Sequence, residues 1–160
     1  MSTKGKILDR PLAKKLVEQW KNAGEEVVFT NGCFDILHLG HVDYLEKAKA
    51  KGDRLVVAVN EDQSVKKLKG ENRPVNDEYS RARLIASLEF VDAVTLFGED
   101  TPFELIEELL PDILVKGNDY SISNIVGADI VLEHGGKVET IDLVEGYSTT
   151  NIVEKIRNIK

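Results

Sequence analysis

Five short runs rich in β-branched residues recur along the chain, each divided from the next by a stretch with helical spacing of apolar residues. Val27–Phe29, Arg54–Val59, Ala93–Phe97, Ile113–Gly117 and Lys137–Leu143 read as strands, being short, apolar and ended by polar residues or glycine. Between them, His41–Lys51 reads as a helix stopped by Gly52, and Tyr79–Phe90 as one carrying Leu84, Ile85 and Leu88. Thr101–Leu110 begins with a Thr-Pro cap and halts at Pro111, and Asn124–His134 ends at Gly135 and Gly136. Thr149–Ile159 stacks Ile152, Ile156 and Ile159, and a further helix, Pro11–Asn22, precedes the first strand. Such alternation predicts an α/β fold, an open five-stranded parallel sheet with helices on both faces. Ligands of these sheets sit at the carboxyl ends of strands, where the strand order reverses. The loops Thr30–His41, Lys116–Tyr120 and Val144–Asn151 are therefore predicted to meet.

One domain over residues 1–160 is expected, with the N-terminal helix at about 11–22 and the core from about 26 onward. No repeat, linker or low-complexity tract interrupts it. No run is long and apolar enough to span a bilayer, and the start MSTKGKILDR lacks a signal-peptide core. The lone Cys33 cannot form an internal disulfide, which fits a reducing compartment; a cytoplasmic location is expected. A net charge of −7 argues against non-specific nucleic-acid binding. A local cationic cluster, Lys66, Lys67, Lys69, Arg73, Arg81 and Arg83, leaves a small anionic ligand open.

The richest loop is TNGCFDILHLGH. His38 and His41 stand three apart, so a helix starting near Leu39 or Gly40 gathers both at its N-terminus. Free backbone N–H groups and the helix dipole already favour an anion there, and two imidazoles add donors. Gly40 allows close approach to the backbone, and Gly32 suits a tight strand-to-helix turn. The same residues also admit two other readings. One is a structural histidine pair; the other is a zinc site of Cys33, His38 and His41 with Asp35, which no second cysteine supports. Ser148, Thr149 and Thr150 follow Gly146 at a second helix start, as caps or as hydroxyl donors to phosphate. Arg81 shares a helix face with Leu84, Ile85 and Leu88, which turns it toward the core, where an anion must meet it. Ser64–Asn76 reads as a short helix and a mobile loop whose Lys66, Lys69 and Arg73 could close over a polyphosphate.

TNGCFDILHLGH, together with KGNDY and EGYSTTNI, resembles the cytidylyltransferase-like nucleotidyltransferases, whose signature is HxGH. The resemblance runs from about Glu26 to Lys155. Within the family the chain is most similar to the adenylyltransferase domain of bacterial ADP-heptose synthases, through GDRLVVAVNEDQSVKKLKGENRPVN, LVKGNDY and STTNI. The resemblance implies a Rossmann-like sheet and Mg²⁺-dependent transfer of AMP from ATP to D-glycero-β-D-manno-heptose 1-phosphate. It implies that His38 and His41 contact nucleotide phosphates, and that Lys69 and Arg81 neutralise the triphosphate. Thr30, Asn31, Gly32, Phe34 and Gly40 would form the first nucleotide loop, with Lys66 beside it. Gly117, Asn118 and Asp119 would lie near the nucleoside, and Ser148, Thr149 and Thr150 on phosphate. No protein side chain would ligate metal, Mg²⁺ arriving with the nucleotide. A homodimer is implied, as is a stand-alone form acting after a separate sugar kinase. Glycerol-3-phosphate cytidylyltransferase, FMN adenylyltransferase and a non-catalytic nucleotide sensor are the other readings.

Overall fold

The N-terminal segment forms a strand that no periodicity announces. In the computed structural model, which describes all 160 residues, β1 is only Ile7–Leu8. Asp9 then opens α1 (Arg10–Asn22): its carboxylate accepts from the Leu12 N–H at 2.9 Å, and Pro11 fills the first turn. The chain continues through β2 (Val27–Gly32), α2 (Leu39–Lys49), β3 (Arg54–Asn60), α3 (Asp62–Lys69) and α4 (Glu78–Ala86). It ends with β4 (Ala93–Phe97), α5 (Phe103–Leu109), β5 (Ile113–Gly117), α6 (Ala128–Glu133), β6 (Lys137–Ile141) and α7 (Thr149–Arg157). Pro102, rather than Thr101, occupies the cap position of α5.

All strands are parallel, in the order β1-β4-β3-β2-β5-β6. The sheet thus has six strands where the sequence predicted five. Ile7 and Leu8 become a strand only by pairing with Val94 and Thr95 on the edge of β4, a pairing that so short a run cannot advertise. Strand alternation divides the core between two faces. One face packs Val28, Val57 and Val115 under Tyr44, Leu45 and Ala48 of α2 and Ala82 and Ile85 of α4. The other packs Val27, Phe29 and Leu114 under α1, α5 and α6, through Ala13, Val17, Leu105, Ile106 and Val131. From β2, the chain steps to β3 on one side and later to β5 on the other. The strand order therefore reverses between β2 and β5, which opens a crevice at their carboxyl ends. No helix is long and apolar enough to cross a membrane.

Candidate active site

A cleft of about 520 Å³ occupies that crevice. Its walls come from the β2–α2 loop, the ends of β5 and β6, the start of α7, and Lys69 with Arg73. His38 caps α2 in extended conformation and His41 lies in its first turn. The two rings stack, with centroids 3.7 Å apart and 24° between planes. His41 also meets the Phe34 ring edge-on at 5.2 Å. Burial, followed by the charge of His38, pushes the His41 pKa down to about 4, and burial lowers that of His38. Both rings are therefore neutral at pH 7. Each Nδ1 is buried without a hydrogen-bond partner.

The glycines explain how the rings are held. A Cβ on Gly40 would stand 2.9 Å from His38 Cε1 and 3.0 Å from its Nδ1. Gly40 thus makes room for the His38 ring. A Cβ on Gly32 would stand 3.0 Å from the Phe34 ring, while Phe34 itself adopts a left-handed φ of 48°. The β2–α2 loop is folded tightly enough to fix where both histidines point.

At the opposite wall, Ser148 caps α7, its hydroxyl accepting from the Asn151 N–H at 3.0 Å. Thr149 and Thr150 line the cleft with Ser148. Gly117 and Asp119 line it from the end of β5, Asn31, Gly32 and Phe34 from the end of β2 and its loop, and Gly40 from the first turn of α2. Lys69 lines it too, exposed at the end of α3 and in no ion pair within the chain.

Four residues expected at the site are elsewhere. Arg81 is fully buried and already satisfied: Nε donates to Asn76 O (2.9 Å), Nη1 to Cys33 O (2.7 Å) and Nη2 to Asp62 Oδ1 (2.8 Å). The anion demanded by a core-facing arginine is thus supplied by the protein. Thr30 turns into the core, its Oγ1 2.8 Å from the Tyr44 hydroxyl, which in turn donates to Val115 O. Asn118 donates to Asp142 at 2.6 Å and so ties the ends of β5 and β6 outside the cleft. Lys66 lies one turn behind Lys69, roughly 4.5 Å further back along the helix, and does not reach the wall.

The segment after α3 is anchored rather than loose. Asp35, only 2% exposed, pairs with Arg73 Nε at 2.6 Å and accepts from the Val75 and Asn76 N–H groups at 2.8 and 3.0 Å. Those bonds tie Asp35 to the segment from Arg73 to Asn76. No three His, Cys, Asp or Glu side chains converge on a point anywhere in the fold. The Cys33 thiol, pushed up mainly by burial, is not a ready thiolate.

A reversal point with a donor-rich helix start, a second hydroxyl-bearing helix start and an unpaired lysine is the class of site that suits a nucleoside polyphosphate. A family model described as cytidylyltransferase-like matches residues 29–155, and the chain belongs to that family. The bifunctional protein HldE of Marinomonas sp. (strain MWYL1) is 59% identical over 145 residues, 89% of this chain and 30% of that protein. HldE of Mesorhizobium japonicum (strain LMG 29417 / CECT 9101 / MAFF 303099) is 56% identical over 154 residues, 96% of this chain and 31% of the relative. The chain thus spans about a third of the length of the curated relatives it matches. Among solved structures, the lipopolysaccharide core biosynthesis protein from Thermoplasma volcanium GSS1 is similar with a TM-score of 0.61 and 35% identity. That match covers 78% of this chain and 100% of the other.

Proposed function

We propose that the chain transfers AMP from ATP to D-glycero-β-D-manno-heptose 1-phosphate, releasing pyrophosphate and forming ADP-heptose. The observation that carries this reading is the stacked, neutral histidine pair, its Nδ1 atoms unpartnered at the free N-terminus of α2 inside the cleft. The acceptor is inferred from the high identity to the HldE proteins, and from the likeness to the Thermoplasma volcanium protein of lipopolysaccharide core biosynthesis.

In this reading a phosphate oxygen of the sugar attacks the α-phosphorus of ATP, the new O–P bond forming as the bond to the β-phosphate bridging oxygen breaks in line. No protein nucleophile takes part. His38 and His41 donate to oxygens whose charge grows in the transition state, helped by the α2 N-terminus. Lys69 and the start of α7 hold the leaving pyrophosphate. A divalent ion, magnesium by expectation, fits as part of the nucleotide complex: the cleft offers Asp119 as its carboxylate beyond the Arg73-bound Asp35 and no cage of side chains. When bound, the ion neutralises charge on the phosphate chain. A homodimer, fed by a separate sugar kinase, completes the proposal.

The test is pyrophosphate release by the purified chain with Mg²⁺, ATP and heptose 1-phosphate, abolished by EDTA and restored by added Mg²⁺. Turnover with CTP and glycerol 3-phosphate, and none with ATP, would replace the substrate assignment. Nucleotide binding without turnover of any pair would make the chain a sensor.

A further inference from the structure

A nucleotidyl transfer brings two anions together, and the groups described so far serve only one of them. Lys116 is the residue left over. It is the penultimate residue of β5, half-buried and adjoining the cleft through Asn31 and Gly117 without being part of its lining, and it makes no ion pair with any carboxylate. Its Nζ reaches only the carbonyl of Asn31, at a marginal 3.5 Å, and stands 5.7 Å from the Tyr120 ring centroid. Burial lowers its pKa to about 8, against the opposing pull of Asp119 and Cys33, both of which line the cleft. An ammonium held this way is incompletely solvated and incompletely paired, a costly state that an incoming anion relieves.

Its neighbour is similarly unfinished. Asn31 lines the cleft, and its side-chain Oδ1 is buried with no partner. Strand alternation puts Lys116 on the sheet face of Leu114, opposite Val115, and therefore opposite α2 with its histidines. In-line displacement requires the attacking and leaving oxygens on opposite sides of phosphorus. With the leaving pyrophosphate on Lys69 and the start of α7 in this reading, a cation on the sheet face opposite α2 is free for the attacking group. A phosphorylated sugar also carries what Asn31 lacks, a hydroxyl donor.

Resting on the adenylyl-transfer reading, the geometry points to Lys116 and Asn31 as the subsite for the acceptor, Lys116 holding its phosphate and Asn31 Oδ1 accepting from a sugar hydroxyl. Asn31 then serves the acceptor rather than the nucleotide.

The test uses Lys116→Met, which keeps the side-chain length and removes the charge, with Lys116→Arg and Asn31→Ala beside it. Three quantities are measured on the full chain: affinity for Mg·ATP by calorimetry, KM for heptose 1-phosphate, and the urea midpoint without ligand. A fourth readout needs no turnover: inorganic phosphate or heptose 1-phosphate titrated into the complex with an ATP analogue bearing a methylene between its α- and β-phosphorus. For Lys116→Met the acceptor KM should rise about 10–100-fold, the scale of a lost charged hydrogen bond. The second anion should no longer bind the analogue complex, ATP affinity should stay within about twofold of wild type, and the urea midpoint should not fall. Lys116→Arg should recover part of the loss, and Asn31→Ala should raise the KM for the sugar phosphate but not weaken inorganic phosphate. Weakened ATP with an unchanged acceptor KM would overturn the assignment, as would a lowered urea midpoint alone, or a wild-type analogue complex that binds no second anion. If the wild type is inactive with heptose 1-phosphate yet loses its second anion on Lys116→Met, the substrate reading fails and the subsite stands.

Discussion

Replacing Arg81 should destabilise the fold rather than remove a ligand contact. The guanidinium is fully buried and directs its donors to two backbone carbonyls, Cys33 O and Asn76 O, and to Asp62. Arg81→Met fills most of the same volume but leaves both carbonyls without a donor, at about 1–3 kcal/mol each. Asp62 contributes less, because its side chain is 32% exposed and water can replace the lost bond. The sum lies near 3–5 kcal/mol, the usual cost of removing one partner from a buried charged pair. Against a domain stability of about 5–15 kcal/mol, that is a fifth or more of the total. The assay is urea unfolding of the ligand-free protein, with Arg81→Lys as a second variant that keeps the charge but cannot span three acceptors. Asp62→Asn should cost on the order of 3 kcal/mol, because it leaves the fully buried guanidinium without its counter-ion. A wild-type urea midpoint for Arg81→Met, combined with weakened ATP binding, would refute the reasoning and return Arg81 to the triphosphate.

His38→Ala and His41→Ala should each lower kcat by about 10²–10³ and leave ATP affinity nearly unchanged, because neutral donors gain most from charge that develops in the transition state; single-turnover rates at saturating ATP are the readout. Gly40→Ala places a methyl against the His38 ring, so it should cost about 10–100-fold in kcat through misplacement of that ring while the melting temperature moves little. For His41 the folded pKa of about 4 lies below the ordinary value of 6.5, so the unfolded chain binds the proton first as pH falls. The stability it contributes is complete above about pH 6.5 and lost progressively toward pH 4, a fall that urea midpoints should register in the wild type and less in His41→Gln.

The sequence made the central architecture legible because each strand from β2 onward is a β-branched run long enough to show, and because His38 and His41 are spaced to share a helix start. β1 was invisible because two residues carry no periodicity and acquire meaning only from the edge of β4. The face of Arg81 was readable from Ile85 and its neighbours, but its partners were not. Two are backbone carbonyls, which have no residue signature, and the third, Asp62, is 19 positions away. Thr30 and Asn118 lie beside loops rich in plausible phosphate donors, and only the fold shows their hydrogen bonds already made to Tyr44 and Asp142. Lys116 did leave a trace, a lysine inside the otherwise apolar run ILVKG. Its lack of a carboxylate partner needed the structure.

The two histidines of the cleft and Lys116 beside it share one property that the acidic chain makes intelligible. With 28 acidic residues against 21 basic ones, a permanently cationic pit would be bridged by the protein's own carboxylates, as Arg73 is by Asp35. Burial avoids this by discharging the histidines outright, and it lowers the Lys116 pKa to about 8, weakening its hold on charge. A neutral imidazole gains little from a ground-state phosphate already solvated by magnesium and water. It gains more as negative charge concentrates on the oxygens around phosphorus, which is the condition for lowering a barrier instead of deepening a well. The fold supplies the geometry for this through Gly40 and Phe34, which fix the stacked rings, and through the strand reversal, which separates them from Lys116. In the proposed reading, selectivity follows from the same placement of charge: a pair of ligands that brings an anion to each side of the sheet end meets His38, His41, Lys116 and Asn31 at once.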